Sequence, residues 1–118
     1  MRILYLEDNT EDANLVSRYV RTTPHELTIV NSAEDAWALA AQEYFDLILV
    51  DVMIGRERVG FDFVQALRQH QYHQPIVAVT ALSTAQDVAH CQQVGFDYVL
   101  VKPYAVSDLA QVIAQVAG

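Results

Sequence analysis

Leu47-Ile48-Leu49-Val50-Asp51 is a run of four aliphatic residues that stops at an acid. An unbroken apolar run this short suits a strand covered on both faces, as in a parallel sheet. Three further runs read the same way. Arg2-Ile3-Leu4-Tyr5-Leu6 ends in Glu7-Asp8, Ile76-Val77-Ala78-Val79 ends in Thr80, and Tyr98-Val99-Leu100-Val101 ends in Lys102, directly before Pro103. The stretch His25-Glu26-Leu27-Thr28-Ile29-Val30 alternates instead, which suits an edge strand. Strands are therefore predicted at 3–6, 27–30, 47–50, 76–79 and 99–101.

Amphipathic stretches fill the gaps. Helical spacing of apolar residues predicts helices over 12–22, 33–43, 61–69, 85–94 and 107–117. Ser32, then Ser83 or Thr84, and Ser107 are the expected N-caps, and Gly95 is an expected helix stop. Strands alternating with helices give a (βα)5 chain, an α/β doubly wound parallel sheet with helices on both faces and right-handed crossovers. Ligands in such folds bind outside the carboxyl ends of the strands. The acids, Thr80 and Lys102 all fall there.

Composition narrows the function classes. With 118 residues the chain is one domain. A hydrophobic share of 53% with 19% charge reads as globular. The net charge is −8, and the seven basic residues are scattered, which argues against direct nucleic-acid binding. One cysteine, Cys91, excludes an internal disulfide. No apolar stretch approaches the roughly 20 residues of a membrane span, so no membrane partner is expected and a cytoplasmic location is. His25, His70, His73 and His90 show no metal-ligand spacing, His70 and His73 read as surface residues, and Trp37 reads as core.

The strand ends carry the chemistry. Glu7, Asp8 and Asp51 would repel one another in an empty site, and a hard divalent cation relieves that repulsion. Mg²⁺ takes a few carboxylates, keeps several waters and leaves room for phosphate oxygens. Asp51 is the candidate nucleophile, because a carboxylate can accept a phosphoryl group. Lys102 is the chain's only lysine. A lone lysine ending a buried strand suits neutralisation of charge in phosphoryl transfer. Thr80 offers a hydroxyl donor to a phosphoryl oxygen.

Taken together, Glu7-Asp8, Asp51 after its apolar run, Thr80-Ala81, Lys102-Pro103 and Gly95 seven residues before the lysine resemble the receiver domain of two-component response regulators. The resemblance covers the whole chain, residues 1–118, and the reading expects a stand-alone receiver with no output domain. It implies a flavodoxin-like sheet of order 2-1-3-4-5. It also implies a signalling phosphoprotein rather than an enzyme acting on other molecules, one that catalyses only its own phosphorylation and dephosphorylation. Asp51 would take a phosphoryl group from the phosphohistidine of a histidine kinase or phosphotransfer protein. Asp8, Asp51 and the Met53 carbonyl would ligate Mg²⁺, or Mn²⁺ in its place, with Glu7 acting mostly through water. Thr80, Ala81 and Lys102 would bind the phosphoryl group. The signal would pass to a downstream protein by contact. The oligomeric state stays open between a monomer and a weak dimer through the fourth-helix, fifth-strand and fifth-helix face.

Three departures from the family pattern qualify this. Val99 stands where many members carry a Tyr or Phe that moves on activation; Tyr98 should point to the opposite face. The loop Val52–Gly60 is one residue longer than common, with Gly55 where proline is frequent, and it carries Arg56 and Arg58, read mainly as solvated. Third, no output domain is expected after the fifth helix. Among alternatives, a flavodoxin would need a hydroxyl- and glycine-rich loop where this chain has Glu7–Asp12. A haloacid-dehalogenase phosphotransferase would need an Asp where Met53 stands. A P-loop enzyme would need a Gly-Lys pair, which is absent. The runner-up is a receiver-shaped interaction module that signals without phosphate.

Overall fold

The computed structural model describes residues 1–54 and 57–117. Along the chain come β1 (Arg2–Leu6), α1 (Thr10–Val20), β2 (Glu26–Val30), α2 (Ala33–Gln42), β3 (Leu47–Asp51), α3 (Val59–Gln69), β4 (Ile76–Thr80), α4 (Ala85–Val94), β5 (Tyr98–Val101) and α5 (Val106–Ala117). All five strands are parallel, in the order β2-β1-β3-β4-β5. The expected (βα)5 sheet and its order are both present.

Strand alternation divides the core in two. Leu4, Leu6, Ile48, Val50, Ile76 and Ala78 face one way and pack with residues of α2, α3 and α4 such as Ala36, Val64 and Cys91. Ile3, Tyr5, Leu47, Leu49, Val77, Val79 and Leu100 face the other way and pack on Val16 and Val20 of α1 and Leu109 and Ile113 of α5. Every residue of β3 and β4 is buried, as continuous apolar runs require. β2 is an edge and largely exposed. β5 is an edge too, and only Leu100 in it is fully buried, so its apolar run marks a strand covered less completely than β3 or β4.

Helix starts follow local chemistry. The Asn9 side chain accepts from Asp12 N, so α1 begins at Thr10, two residues before the predicted start. Ser32 caps α2 as expected, and Thr84 rather than Ser83 caps α4, forming a capping box with Asp87. Ser107 is not a cap. It lies inside the first turn of α5, and Asp108 instead accepts from Ala105 N at 3.0 Å. Gly95 ends α4 with φ of 125°, a conformation that side chains other than glycine's strain to adopt. A β-carbon at Gly60 would lie 2.7 Å from Val52 Cα and 2.8 Å from Asp51 O, so only glycine lets α3 start this close to the end of β3.

The carbonyls where α4 ends and β4 begins are held by one side chain. Arg68 of α3 donates to Gly95 O, Tyr72 O, Gln74 O and Asp97 Oδ2, and Asp97 Oδ2 also accepts from Ile76 N. At the opposite, carboxyl end of the sheet, backbone bonds continue past the strands. Glu7 N donates to Val30 O, Val52 N to Val79 O and Lys102 N to Thr80 O, at 2.9, 3.2 and 2.7 Å. Sheet geometry thus extends into the residues that carry the chemistry.

Candidate functional site

β1, β3, β4 and β5 deliver Glu7, Asp51, Thr80 and Lys102 to one edge of the sheet. Glu7, Asp51 and Thr80 are buried, and Asp8 is exposed beside them. Lys102 Nζ lies 2.8 Å from Glu7 Oε1, 2.8 Å from Asp12 Oδ2 and 3.4 Å from Asp51 Oδ2. Tyr5 donates its phenol to Glu7 Oε1 at 2.7 Å from within the α1/α5 core. Met53 N donates to Asp51 Oδ1 at 3.1 Å, so the loop after β3 turns back over the acid. The Thr80 hydroxyl accepts from Leu82 N at 3.0 Å, which leaves its own O–H as a donor.

Burial shapes the charges. Burial pushes the Asp51 carboxyl up to about 8, reinforced by the hydrogen bond and the charge of Glu7, against the pull of Lys102. For Glu7, burial acts upward, but hydrogen bonds with Asp51, Lys102 and Tyr5 outweigh it and hold the carboxyl below the usual glutamate value. Burial and Glu7 thus favour the neutral form of Asp51, while hydrogen bonds favour the ionised form of Glu7. Burial also opposes the Lys102 charge, yet Asp12 and Glu7 raise its affinity for the proton, so the ammonium stays charged. Ligand oxygens of Glu7, Asp8 and Asp51 all lie within 4.8 Å of one another, a group that could hold a metal ion. Buried, closely spaced hard carboxylate oxygens are what a small divalent cation neutralises.

Comparison with known proteins decides the family. The family model described as response regulator receiver domain matches residues 3–114. This chain belongs to the response regulator receiver domain family. The receiver is 26% identical over 115 residues to the transcriptional regulatory protein PcoR of Escherichia coli, covering 98% of this chain and 49% of PcoR. It is 32% identical over 121 residues to the sensor protein GacS of Pseudomonas syringae pv. syringae, covering 99% of this chain and 13% of GacS. The chain thus spans about half the length of the first relative and far less of the second. Among solved structures, the chemotaxis response regulator CheY4 of Vibrio cholerae superposes with a TM-score of 0.88 at 28% identity, covering 98% of this chain and 97% of that one. Phosphorylation-controlled signalling is the business of this family, and histidine kinases and downstream effectors are its kinds of partner.

The receiver's structure brings Glu7, Asp8, Asp51 and Lys102 together and sets Thr80 and Ala81 at the end of the neighbouring strand. Ala81 lines a groove with Lys102 and Tyr104. Two partners were not singled out from sequence. In sequence Asp12 belongs to an acidic loop after the first strand, and Tyr5 to an apolar strand run. The only signal for Tyr5 was position: it precedes Glu7 by two, hence shares its side of the sheet. Val99 packs against the α2/α3/α4 core and Tyr98 against the α1/α5 core, the opposite faces expected for neighbours in a strand. Met53 and Leu82 are half-buried against the α2/α3/α4 core. Arg58 is exposed, with its guanidinium 5.8 Å from the Phe61 ring centroid, whereas Gly55 and Arg56 lie outside the described residues. His70 and His73 are exposed as expected, and His70 meets the half-buried Trp37 edge-on at 4.9 Å. No described helix is long and apolar enough to cross a membrane.

Proposed function

We propose that this receiver accepts a phosphoryl group on Asp51 from the phosphohistidine of a histidine kinase or phosphotransfer protein, in a reaction dependent on Mg²⁺ or Mn²⁺. An Asp51 carboxylate oxygen forms the new bond to phosphorus. The bond from phosphorus to the imidazole nitrogen breaks, and its electron pair returns to the ring. Asp8, Asp51 and the Met53 carbonyl would hold the cation, with Glu7 acting through water, and the cation's charge would offset that of the transferring group. Glu7 suits an indirect role because Tyr5 and Lys102 already occupy its carboxylate. Lys102 and the Thr80 hydroxyl, with Ala81 beside them, would bind the phosphoryl oxygens.

One observation carries this reading. The sole ammonium of a lysine in the chain sits 3.4 Å from Asp51 at the point where three carboxylates converge. A structural ion pair needs one acid, and this arrangement has an excess of them. The phosphorylated chain would signal to a downstream protein through the face of α4, β5 and α5.

Val99 favours a second reading, an interaction module that works without phosphate, since the ring that usually couples to the threonine is missing there. Beryllofluoride, a mimic of an acyl phosphate, separates the two. The phosphoacceptor reading expects tight binding that requires Mg²⁺ and is lost in Asp51→Asn. Absence of Mg²⁺-dependent binding would favour the module.

A further inference from the structure

An ammonium has three N–H donors and no acceptor. That of Lys102 faces three carboxylates, Glu7 and Asp12 at 2.8 Å each and Asp51 at 3.4 Å. Glu7 and Asp51 belong to the trio that could share a cation, and Asp12 does not. Once a cation draws on Asp51 directly and on Glu7 through water, both groups offer the ammonium less charge. A phosphoryl group on Asp51 also consumes one of its acceptor oxygens. Of the three partners, Asp12 is the one whose charge remains wholly available to Lys102.

Asp12 also reaches Lys102 from a different part of the fold. It lies in the first turn of α1, its backbone N–H is held by Asn9 Oδ1 at 3.0 Å, and Lys102 follows β5. The pair bridges α1 to the end of β5 beside a groove of about 330 Å³ that Asp12, Ala81, Lys102 and Tyr104 help to line. The Glu7 side chain is fully buried, whereas that of Asp12 is 36% exposed. A half-exposed carboxylate can follow a small movement of the ammonium without a large change in its own solvation.

We propose that Asp12 is a positioning residue for phosphoryl transfer, one that keeps the Lys102 ammonium at the phosphoryl-binding end of the site once the cation takes up charge from Asp51 directly and from Glu7 through water. This rests on the phosphoacceptor reading of Asp51. The bland role for Asp12 is to complement the positive end of α1. Glu11 supplies the same charge to the same turn and is exposed, so it serves as the control.

Because Lys102 is the only lysine, ¹⁵N-lysine labelling gives a single Nζ signal. With Mg²⁺ and beryllofluoride bound, hydrogens on Nζ should exchange slowly with water in the wild type and in Glu11→Gln. Asp12→Asn should speed that exchange several-fold, and Asp12→Glu should restore it. Phosphorylation by acetyl phosphate should be roughly fivefold slower in Asp12→Asn, the scale of a half-exposed ion pair, and should recover in Asp12→Glu. Unchanged exchange or an unchanged rate in Asp12→Asn would overturn the proposal, as would an equal loss in Glu11→Gln. If the wild type took up no phosphoryl group, the reading of Asp51 would fall first. A labelled wild type with an unaffected Asp12→Asn would remove only the role of Asp12.

Discussion

Asp51 is the residue on which burial and chemistry conflict most. Its carboxyl is pushed up to about 8 in the metal-free fold, chiefly by burial and then by Glu7, against roughly 3.9 for an unfolded aspartate. The folded state therefore binds that proton more tightly than the unfolded one. The stability this brings is complete below about pH 4 and is lost as pH rises toward about 8. Glu7 has the opposite sign, but its window lies below the ordinary glutamate value of about 4.3, so Asp51 governs the neutral range. In chelator, Asp51→Asn should be more stable than the wild type at pH 8, with the gap closing as pH falls toward 4. Urea melts across that range check it, and a gap independent of pH would contradict the assignment. A second prediction concerns Met53 and Leu82, two residues after Asp51 and two after Thr80, positions that by the family resemblance flank the approach of water to the acyl phosphate; both are half-buried and carry no group that orients water. Phosphoryl transfer depends on a positioned nucleophile, so the acyl phosphate should be long-lived. Met53→Asn with Leu82→Glu should accelerate phosphate release, and a wild-type half-life of seconds would contradict this. The acids, Thr80 and Lys102 were legible in sequence because each ends an apolar run. Tyr5 and Asp12 were not, because a phenol within a strand and an acid in a helix's first turn both have ordinary structural explanations.

Elements were legible wherever apolar periodicity was strong, and less so at their ends. Side-chain caps moved the starts: Asn9 draws α1 back to Thr10, and Asp108, not Ser107, holds the approach to α5. These choices depend on which of several polar residues reaches a free N–H, and spacing alone does not rank them. Arg68 is a larger omission. In sequence it is one basic residue near the end of a helix, yet its guanidinium binds three carbonyls and Asp97, joining α3 to the end of α4 and the start of β4. A planar fork of donors can serve these acceptors together, and an ammonium cannot. Arg68→Lys should destabilise the fold by about 1–3 kcal/mol and leave Mg²⁺ affinity unchanged, since the clamp lies at the amino end of β4 and the site at the carboxyl end. Chemical melts and a Mg²⁺ titration test the two halves. A loss of Mg²⁺ affinity matching the loss of stability would show that the two ends are coupled.

For the molecule as a whole, sheet order places the chemistry. Parallel strands put every carboxyl end on one edge, and the order β2-β1-β3-β4-β5 sets β1 and β4 on either side of β3, so Glu7 and Thr80 flank Asp51. Lys102 arrives from β5, the edge strand on which the output face is proposed to lie. Val99 on that strand has no ring to swing, and it packs into the α2/α3/α4 core. Beryllofluoride should therefore cause smaller amide shifts around Val99 than around Asp51 and Thr80, and a large shift centred on Val99 would contradict a muted response. All of this depends on Asp51 being the acceptor. The most direct measurement is the intact mass of the protein after incubation with acetyl phosphate and Mg²⁺, alongside Asp51→Asn and a sample in chelator. The account predicts the gain of one phosphoryl group in the wild type with Mg²⁺ and none in the other two. Equal labelling of Asp51→Asn, or none in the wild type, would contradict it.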